Sequence, residues 1–253
     1  MNQQTLAGKT ALISGGARGI GRATALKLAQ AGCDVVINYF NSSDVADALC
    51  QQLQQQYQVN AWAIQANVAD PASVKSLFEA IGERHQRLDF LISNAASGVL
   101  KPALKMTLKH WRWCLETNAL ALNLLVQQAK PMMPRGSRVF ALSSLGAGRA
   151  IPNYAFIGAS KAALEALVRS LSLELAVDGI NVNTISAGVI DTDALKHFPN
   201  REQLLDEFQS RSLSERALTA DDVANVIYLL CQPEAEMIKG QTIFVDAGYS
   251  TLG

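Results

Sequence analysis

Short apolar, β-rich runs alternate with longer stretches whose apolar positions recur at helical spacing, from one end of the chain to the other. The runs are Thr10–Ser14, Asp34–Tyr39, Ala61–Gln65, Leu88–Ser93, Arg138–Ser143, Asn181–Ser186 and Gln241–Val245. Amphipathic stretches such as Gly21–Ala31, Ser43–Tyr57, Ser73–Arg84 and Ala162–Ala176 lie between them. This alternation predicts an α/β, Rossmann-type doubly wound fold: a seven-stranded parallel sheet with helices on both faces, forming one domain of 253 residues. The rhythm breaks between Asp191 and Arg216, where charged residues and a proline replace the expected approach to the last strand. A segment placed there follows a strand's carboxyl end, where ligands bind in such sheets, and is expected to be a mobile lid.

Composition narrows the partners. Lys plus Arg equals Asp plus Glu at 22 each, so no overall positive field draws the chain to nucleic acid or anionic lipid. No run is apolar for long enough to predict a membrane span. The four cysteines, Cys33, Cys50, Cys114 and Cys231, show no zinc or disulfide spacing and read as reduced cytoplasmic thiols. His85, His110 and His197 are scattered, so neither a metal site nor a histidine-based triad is expected.

The first apolar run leads into Ser14-Gly15-Gly16-Ala17-Arg18-Gly19-Ile20-Gly21. Glycines at a strand-to-helix junction let the backbone approach a pyrophosphate, and the helix N-terminus supplies free N–H groups. After the second run the chain reads Tyr39-Phe40-Asn41-Ser42, without the carboxylate that would hold an unphosphorylated ribose. With Arg18 in the glycine loop, this absence favours NADPH over NADH, although Arg18 can also be read as a solvated surface charge. Asn67-Val68 follows the third run, where an adenine edge could be met. Asn94-Ala95-Ala96 follows the fourth, where small residues permit close approach of the cofactor.

The fifth run ends in Ser143-Ser144, and Tyr154-Ala-Phe-Ile-Gly-Ala-Ser-Lys161 follows. With the glycine loop, Asn94-Ala95-Ala96, Asn118 and the closing Gly240–Asp246 strand, the chain resembles the short-chain dehydrogenase/reductase superfamily over essentially its whole length. The superfamily's usual tyrosine, four residues before the lysine, is Ile157 here; the tyrosine stands at Tyr-x6-Lys spacing. That spacing, Asn94–Leu100 and Asp191–Arg201 resemble enoyl-[acyl-carrier-protein] reductase III. The resemblance implies NADPH-dependent reduction of a trans-2 enoyl thioester in fatty-acid or specialised acyl biosynthesis, by a homotetramer. The long apolar stretches Leu104–Met133 and Tyr154–Ala176 would form its interfaces.

The resemblance also implies roles. Tyr154 would hydrogen-bond the developing enolate, while Lys161 would bind the nicotinamide ribose and draw Tyr154 towards the tyrosinate form. Asn118 would shape the local backbone. Ser144 would hold a substrate carbonyl, or serve only as a strand-end turn serine. Gly188, Ile190 and Thr192 would meet the nicotinamide end. If both residues lie on one helix, positions i and i+7 sit about 20° apart around the axis and about 10.5 Å along it, which carries the hydroxyl farther out than i and i+4 would. Lys101, Lys105, Lys109, Lys196 and Arg201 are candidates for docking an acidic acyl carrier protein. A short-chain keto reductase and a catalytically silent dinucleotide sensor are the competing readings.

Overall fold

The computed structural model describes residues 4–193, 195–197 and 201–251. Seven strands form one parallel sheet: β1 Thr10–Ile13, β2 Asp34–Tyr39, β3 Ala61–Gln65, β4 Phe90–Ser93, β5 Arg138–Ser144, β6 Asn181–Ala187 and β7 Thr242–Val245. Their order is β3-β2-β1-β4-β5-β6-β7. The winding reverses between β1 and β4, so a crevice opens beyond the carboxyl ends of these two strands.

Because both faces are covered, the central strands are apolar at nearly every position and do not alternate with polar residues. The register puts Trp62, Val36, Leu12, Leu91, Val139 and Val182 in one row across the sheet. The next row, with Ile37, Ile13, Ile92 and Phe140, points to the opposite face. The second row packs against α1 (Gly19–Gln30), α2 (Ser43–Tyr57) and α8 (Ala220–Leu230). The first packs against α3 (Pro71–Gly82), α5 (Ala121–Ala129) and α6 (Ala155–Leu175). Each fully buried Leu or Ile in these rows contributes about 1.5–3 kcal/mol of hydrophobic stabilisation.

The glycine loop enters α1 at Gly19, within the glycine run expected to open a helix there. Two elements start earlier than their apolar spacing suggests: Pro71 occupies the first turn of α3 behind the capping Asp70, and α6 begins at Ala155. The predicted long helix over Leu104–Met133 is divided into α4 (Leu108–Leu115), a π-helical turn at Glu116–Leu120, α5 and flanking 3-10 turns. Of the predicted lid segment, positions 194 and 198–200 lie outside the described residues. Its remainder forms a 3-10 turn at Leu195–His197 and α7 (Arg201–Arg211).

Candidate active site

The crevice is a cavity of about 1170 Å³ running from the glycine loop to Tyr154 and on beneath α7. A typical small-molecule site occupies about 300–1,000 Å³, so this one has room for a cofactor and a substrate together. At its outer end Gly15 has φ +60°, and a Cβ there would lie 3.0 Å from the Cα of Ala95. Only glycine meets both conditions. Gly21 is buried, and its missing side chain admits the Gly15 carbonyl, which would lie 2.6 Å from a Cβ. Asn94 holds the same loop by donating from Nδ2 to the carbonyls of Ser14 (3.1 Å) and Gly15 (3.0 Å).

Arg18 occupies the N-cap of α1 without a side-chain cap. Asp70, by contrast, accepts from the Ser73 N–H at 2.9 Å to cap α3. The first turn of α1 therefore directs its N–H groups towards the cavity that Gly19 and Ile20 line, a fitting place for a pyrophosphate. These residues suit a dinucleotide.

The structure brings together at this cavity Gly15, Arg18, Gly19, Ile20, Asn41, Asn67, Val68, Asn94, Ala95, Ala96, Ser144, Tyr154, Lys161, Gly188, Ile190 and Thr192, all expected from the sequence. Five expected residues do not line it. Ala17 is buried in the core, and Gly21 packs inside the loop. Tyr39 turns into the core against α2's side of the sheet, leaving Phe40 to line the cavity in its place. Ser42 precedes α2 as its N-cap. Asn118 acts from behind: its Oδ1 accepts from the Ser97 N–H at 2.8 Å, and its Nδ2 donates to the Ser97 carbonyl at 2.9 Å and to Ser160 Oγ at 2.8 Å. These bonds tie the Ser97 backbone to α6 from the π-helical turn between α4 and α5.

Tyr154 does not share a helix face with Lys161. Asn153 adopts a left-handed backbone (φ +62°), and Tyr154 is the N-cap of α6 with φ −109° and ψ 8°. Its carbonyl accepts the first helical bond, from Gly158 N at 2.7 Å. The i, i+7 helix geometry therefore does not apply to this pair. Instead the ring lies in a slot made by two glycines that the sequence reading missed. A Cβ on Gly146 would come within 2.6 Å of the ring, and a Cβ on Gly158 would come within 2.5 Å of the Gly146 carbonyl. The Tyr154 hydroxyl is 3.2 Å from Ser144 Oγ. Ile157, by contrast, packs onto Gly98, where a Cβ would lie 2.3 Å from its Cγ1, and it is not part of the cavity lining.

Lys161 is buried and donates from Nζ to the Leu142 carbonyl at 2.6 Å. Burial lowers its pKa to about 8, against the opposing pull of Glu165. Glu165, one helical turn further along α6, accepts a 2.6 Å hydrogen bond from Ser143 Oγ. Burial raises the Tyr154 pKa, the Ser144 hydrogen bond partly offsets this, and Cys114 adds to the rise. The expected shift of Tyr154 towards tyrosinate is thus reversed: desolvation outweighs any help from the lysine.

Further residues missed in the sequence complete the walls. Asn38, a buried polar residue directly after the apolar run Val35-Val36-Ile37, donates from Nδ2 to the Ala66 carbonyl at 3.0 Å and accepts from Gly15 N at 3.4 Å. Its polarity was the available signal. Phe208 of α7 is buried where a Cβ on Gly188 would lie 2.5 Å from its ring, and it lines the cavity there. Thr192 lies beside Gly19, and Asp193 pairs with Arg18 at 3.8 Å. Two of the five proposed docking cations are offset by neighbours: Lys196 pairs with Asp193 at 2.7 Å, and Arg201 binds Asp191. Among the described residues no group of three or more His, Cys, Asp or Glu could hold a metal ion, and no helix is long and apolar enough to cross a membrane.

A reversing parallel sheet, an uncapped helix start behind a glycine loop, and a serine, tyrosine and buried lysine at the inner end of one cavity define the class: a Rossmann-type dinucleotide oxidoreductase. A protein-family model described as "Enoyl-(Acyl carrier protein) reductase" matches residues 15–250. The 1-cyclohexenylcarbonyl-CoA reductase of Streptomyces collinus is 37% identical over 246 residues, covering 96% of this chain and 88% of that protein. A 3-oxoacyl-[acyl-carrier-protein] reductase FabG of Staphylococcus aureus is 34% identical over 248 residues, covering 95% and 97%. A short chain dehydrogenase from Burkholderia cenocepacia J2315, solved in complex with NADP, superposes with a TM-score of 0.89 at 32% identity, over 97% of this chain and 99% of that one. The chain belongs to the short-chain dehydrogenase/reductase superfamily.

Proposed function

We propose that the protein reduces the trans-2 double bond of an enoyl thioester, using NADPH. The observation that carries this reading is the exchange at the acid position: Tyr154 presents its hydroxyl to the cavity, while Ile157 is turned into the wall against Gly98. Bound NADPH supplies the hydride. Gly15, Gly19 and the start of α1 would hold its pyrophosphate, Arg18 and Asn41 its ribose phosphate, and Asn67 and Val68 its adenine. Asn94, Ala95, Ala96, Gly188, Ile190 and Thr192 would shape the way to the inner end, where Lys161 would meet the second ribose.

Hydride addition at the β-carbon of an enoyl thioester leaves negative charge on the thioester oxygen. Tyr154 donates its O–H to that oxygen in a largely desolvated place, where such a bond is worth most, and a proton taken up from water at the α-carbon completes the saturated thioester. The raised pKa of Tyr154 suits a donor that stays protonated at neutral pH. Ser144 shares the hydrogen bond and orients the hydroxyl. Lys161 adds positive charge behind the pair.

One observation favours a second reading. A serine 3.2 Å from a tyrosine, beside a buried lysine, is also an arrangement able to hold and protonate a ketone oxygen. A panel of crotonyl and acetoacetyl thioesters, each with NADPH and NADH, tests the two. Oxidation of NADPH by crotonyl thioester is expected; robust acetoacetyl reduction with none of crotonyl would overturn the enoyl reading. A homotetramer is the proposed assembly, joined through exposed apolar residues such as Leu108, Trp111 and Leu173, and sedimentation tests it.

A further inference from the structure

We infer that Arg149 and Arg211, gathered on the ring of Tyr249, form a phosphate subsite for the phosphopantetheine arm of the substrate. The inference rests on the acyl thioester reading. Three separate parts of the chain meet here: the loop before α6 brings Arg149, the last residue of α7 is Arg211, and the C-terminal 3-10 turn at Tyr249–Thr251 begins with the tyrosine. All three side chains line the same cavity as Tyr154. The Arg211 guanidinium lies 4.9 Å from the Tyr249 ring centroid and that of Arg149 lies 5.9 Å from it.

The platform is built, not a chance of surface rotamers. Buried Asp246 accepts from Gly248 N at 3.0 Å and Ser250 N at 2.9 Å, fixing the turn that carries Tyr249. Arg149 donates to the Ser250 carbonyl on that same turn. Phe208 stacks on Tyr249 at 4.9 Å with a 27° interplanar angle.

Charge and shape point to a phosphate. Glu116 and Glu207 line the cavity too, so the region is not simply basic. Arg149, however, has no carboxylate within ion-pair distance among the described residues. A guanidinium held against an aromatic face keeps its planar fork ready for a tetrahedral oxyanion. Outward from a thioester, the pantetheine arm is uncharged until its 4′-phosphate, which coenzyme A and an acyl carrier protein share.

Calorimetry on the NADP-saturated enzyme, titrated with pantetheine and with 4′-phosphopantetheine, reads the subsite without turnover. The phosphorylated arm is expected to bind roughly 10-fold to 100-fold more tightly, as charge-assisted hydrogen bonds allow. The Arg149→Gln/Arg211→Gln variant should erase that ratio, and Arg149→Lys should keep part of it. Equal affinities in the unaltered protein, no binding of either arm, or a ratio that survives the double substitution overturns the subsite. With crotonyl thioesters, kcat/KM for coenzyme A and for carrier protein, each relative to N-acetylcysteamine, should fall by a similar factor in the double variant. A fall for coenzyme A alone would assign recognition to its adenosine phosphates and overturn the inference. A wild-type enzyme inactive on every crotonyl thioester would refute the enoyl reading alone, leaving the calorimetric ratio to decide the subsite.

Discussion

Lys161 carries a charge in a buried place where water solvates it poorly, and replacing it should reveal the cost. Burial lowers its pKa from 10.5 to about 8. Between these values the unfolded chain still holds the lysine proton and the folded one has released it, so stability rises with pH across this window. Below pH 8 the folded protein bears the full penalty of the charged form. A difference of about 2.5 pH units at about 1.4 kcal/mol each sets a ceiling of about 3.5 kcal/mol. In Lys161→Met the penalty is absent, but the Leu142 carbonyl loses its 2.6 Å donor. That loss costs about 1–3 kcal/mol and is independent of pH, so it cancels from the slope. Thermal unfolding of both proteins without cofactor, from pH 7 to pH 10, reads the difference. The wild type should gain on the variant by up to the ceiling, or roughly 7–14 °C in Tm at 2–4 °C per kcal/mol. A Tm gap that stays constant from pH 7 to pH 10 would show that Lys161 is not a buried, strained cation and would remove the argument.

Tyr154→Phe should lower kcat by roughly 10²–10⁴-fold while fluorescence titration finds NADPH binding nearly intact. Glu165→Gln removes the charge that opposes Lys161 deprotonation, so the alkaline limb of the kcat/KM profile should move to lower pH; an unmoved limb would separate Glu165 from the site. Gly146→Ala drives a methyl towards the Tyr154 ring and should cost about 1–3 kcal/mol in denaturant unfolding, with kcat falling more than the cofactor affinity. Arg18→Ala should raise the KM for NADPH far more than that for NADH, and equal changes would return Arg18 to the solvated surface.

The strands were legible because a parallel sheet buried on both faces needs unbroken apolar runs, and Thr10–Ile13 or Phe90–Ser93 can be little else. The cofactor loop was legible because Gly15 and Gly19 require positive φ and close approach, which leave a spacing in the sequence. The conformation of Tyr154 was not. It depends on the left-handed Asn153 and on Gly146, which meets the ring from the 3-10 turn after β5 rather than along the helix. Helical periodicity therefore carries the one-face argument one residue too far, from the first helical residue onto the N-cap. Its ionisation was misjudged for a related reason: motif spacing pairs a lysine with a tyrosine, but only the fold shows Lys161 aimed at Leu142. Arg18 and Arg201 each looked available because their partners, Asp193 and Asp191, belong to a segment whose path over the site no local pattern specifies.

The exchange of tyrosine for isoleucine is therefore a matter of two seats rather than one residue. Ile157 fits only because Gly98 leaves its backbone bare, and Tyr154 fits only because Gly146 does the same beneath its ring. A tyrosine simply returned to position 157 would meet the wall that Gly98 and Cys114 form and would leave Tyr154 still hydrogen-bonded to Ser144. Gly98 lies far from Ile157 in sequence, and Gly146 sits in the 3-10 turn that follows β5, so the acid's position is stabilised by packing between β-strand ends and the start of α6, not by the helix itself. Under the proposed reaction, the proton donor's reach is set by that packing. Moving the donor requires rebuilding both seats, which is why substitution at a single tyrosine position should abolish one activity without creating the other.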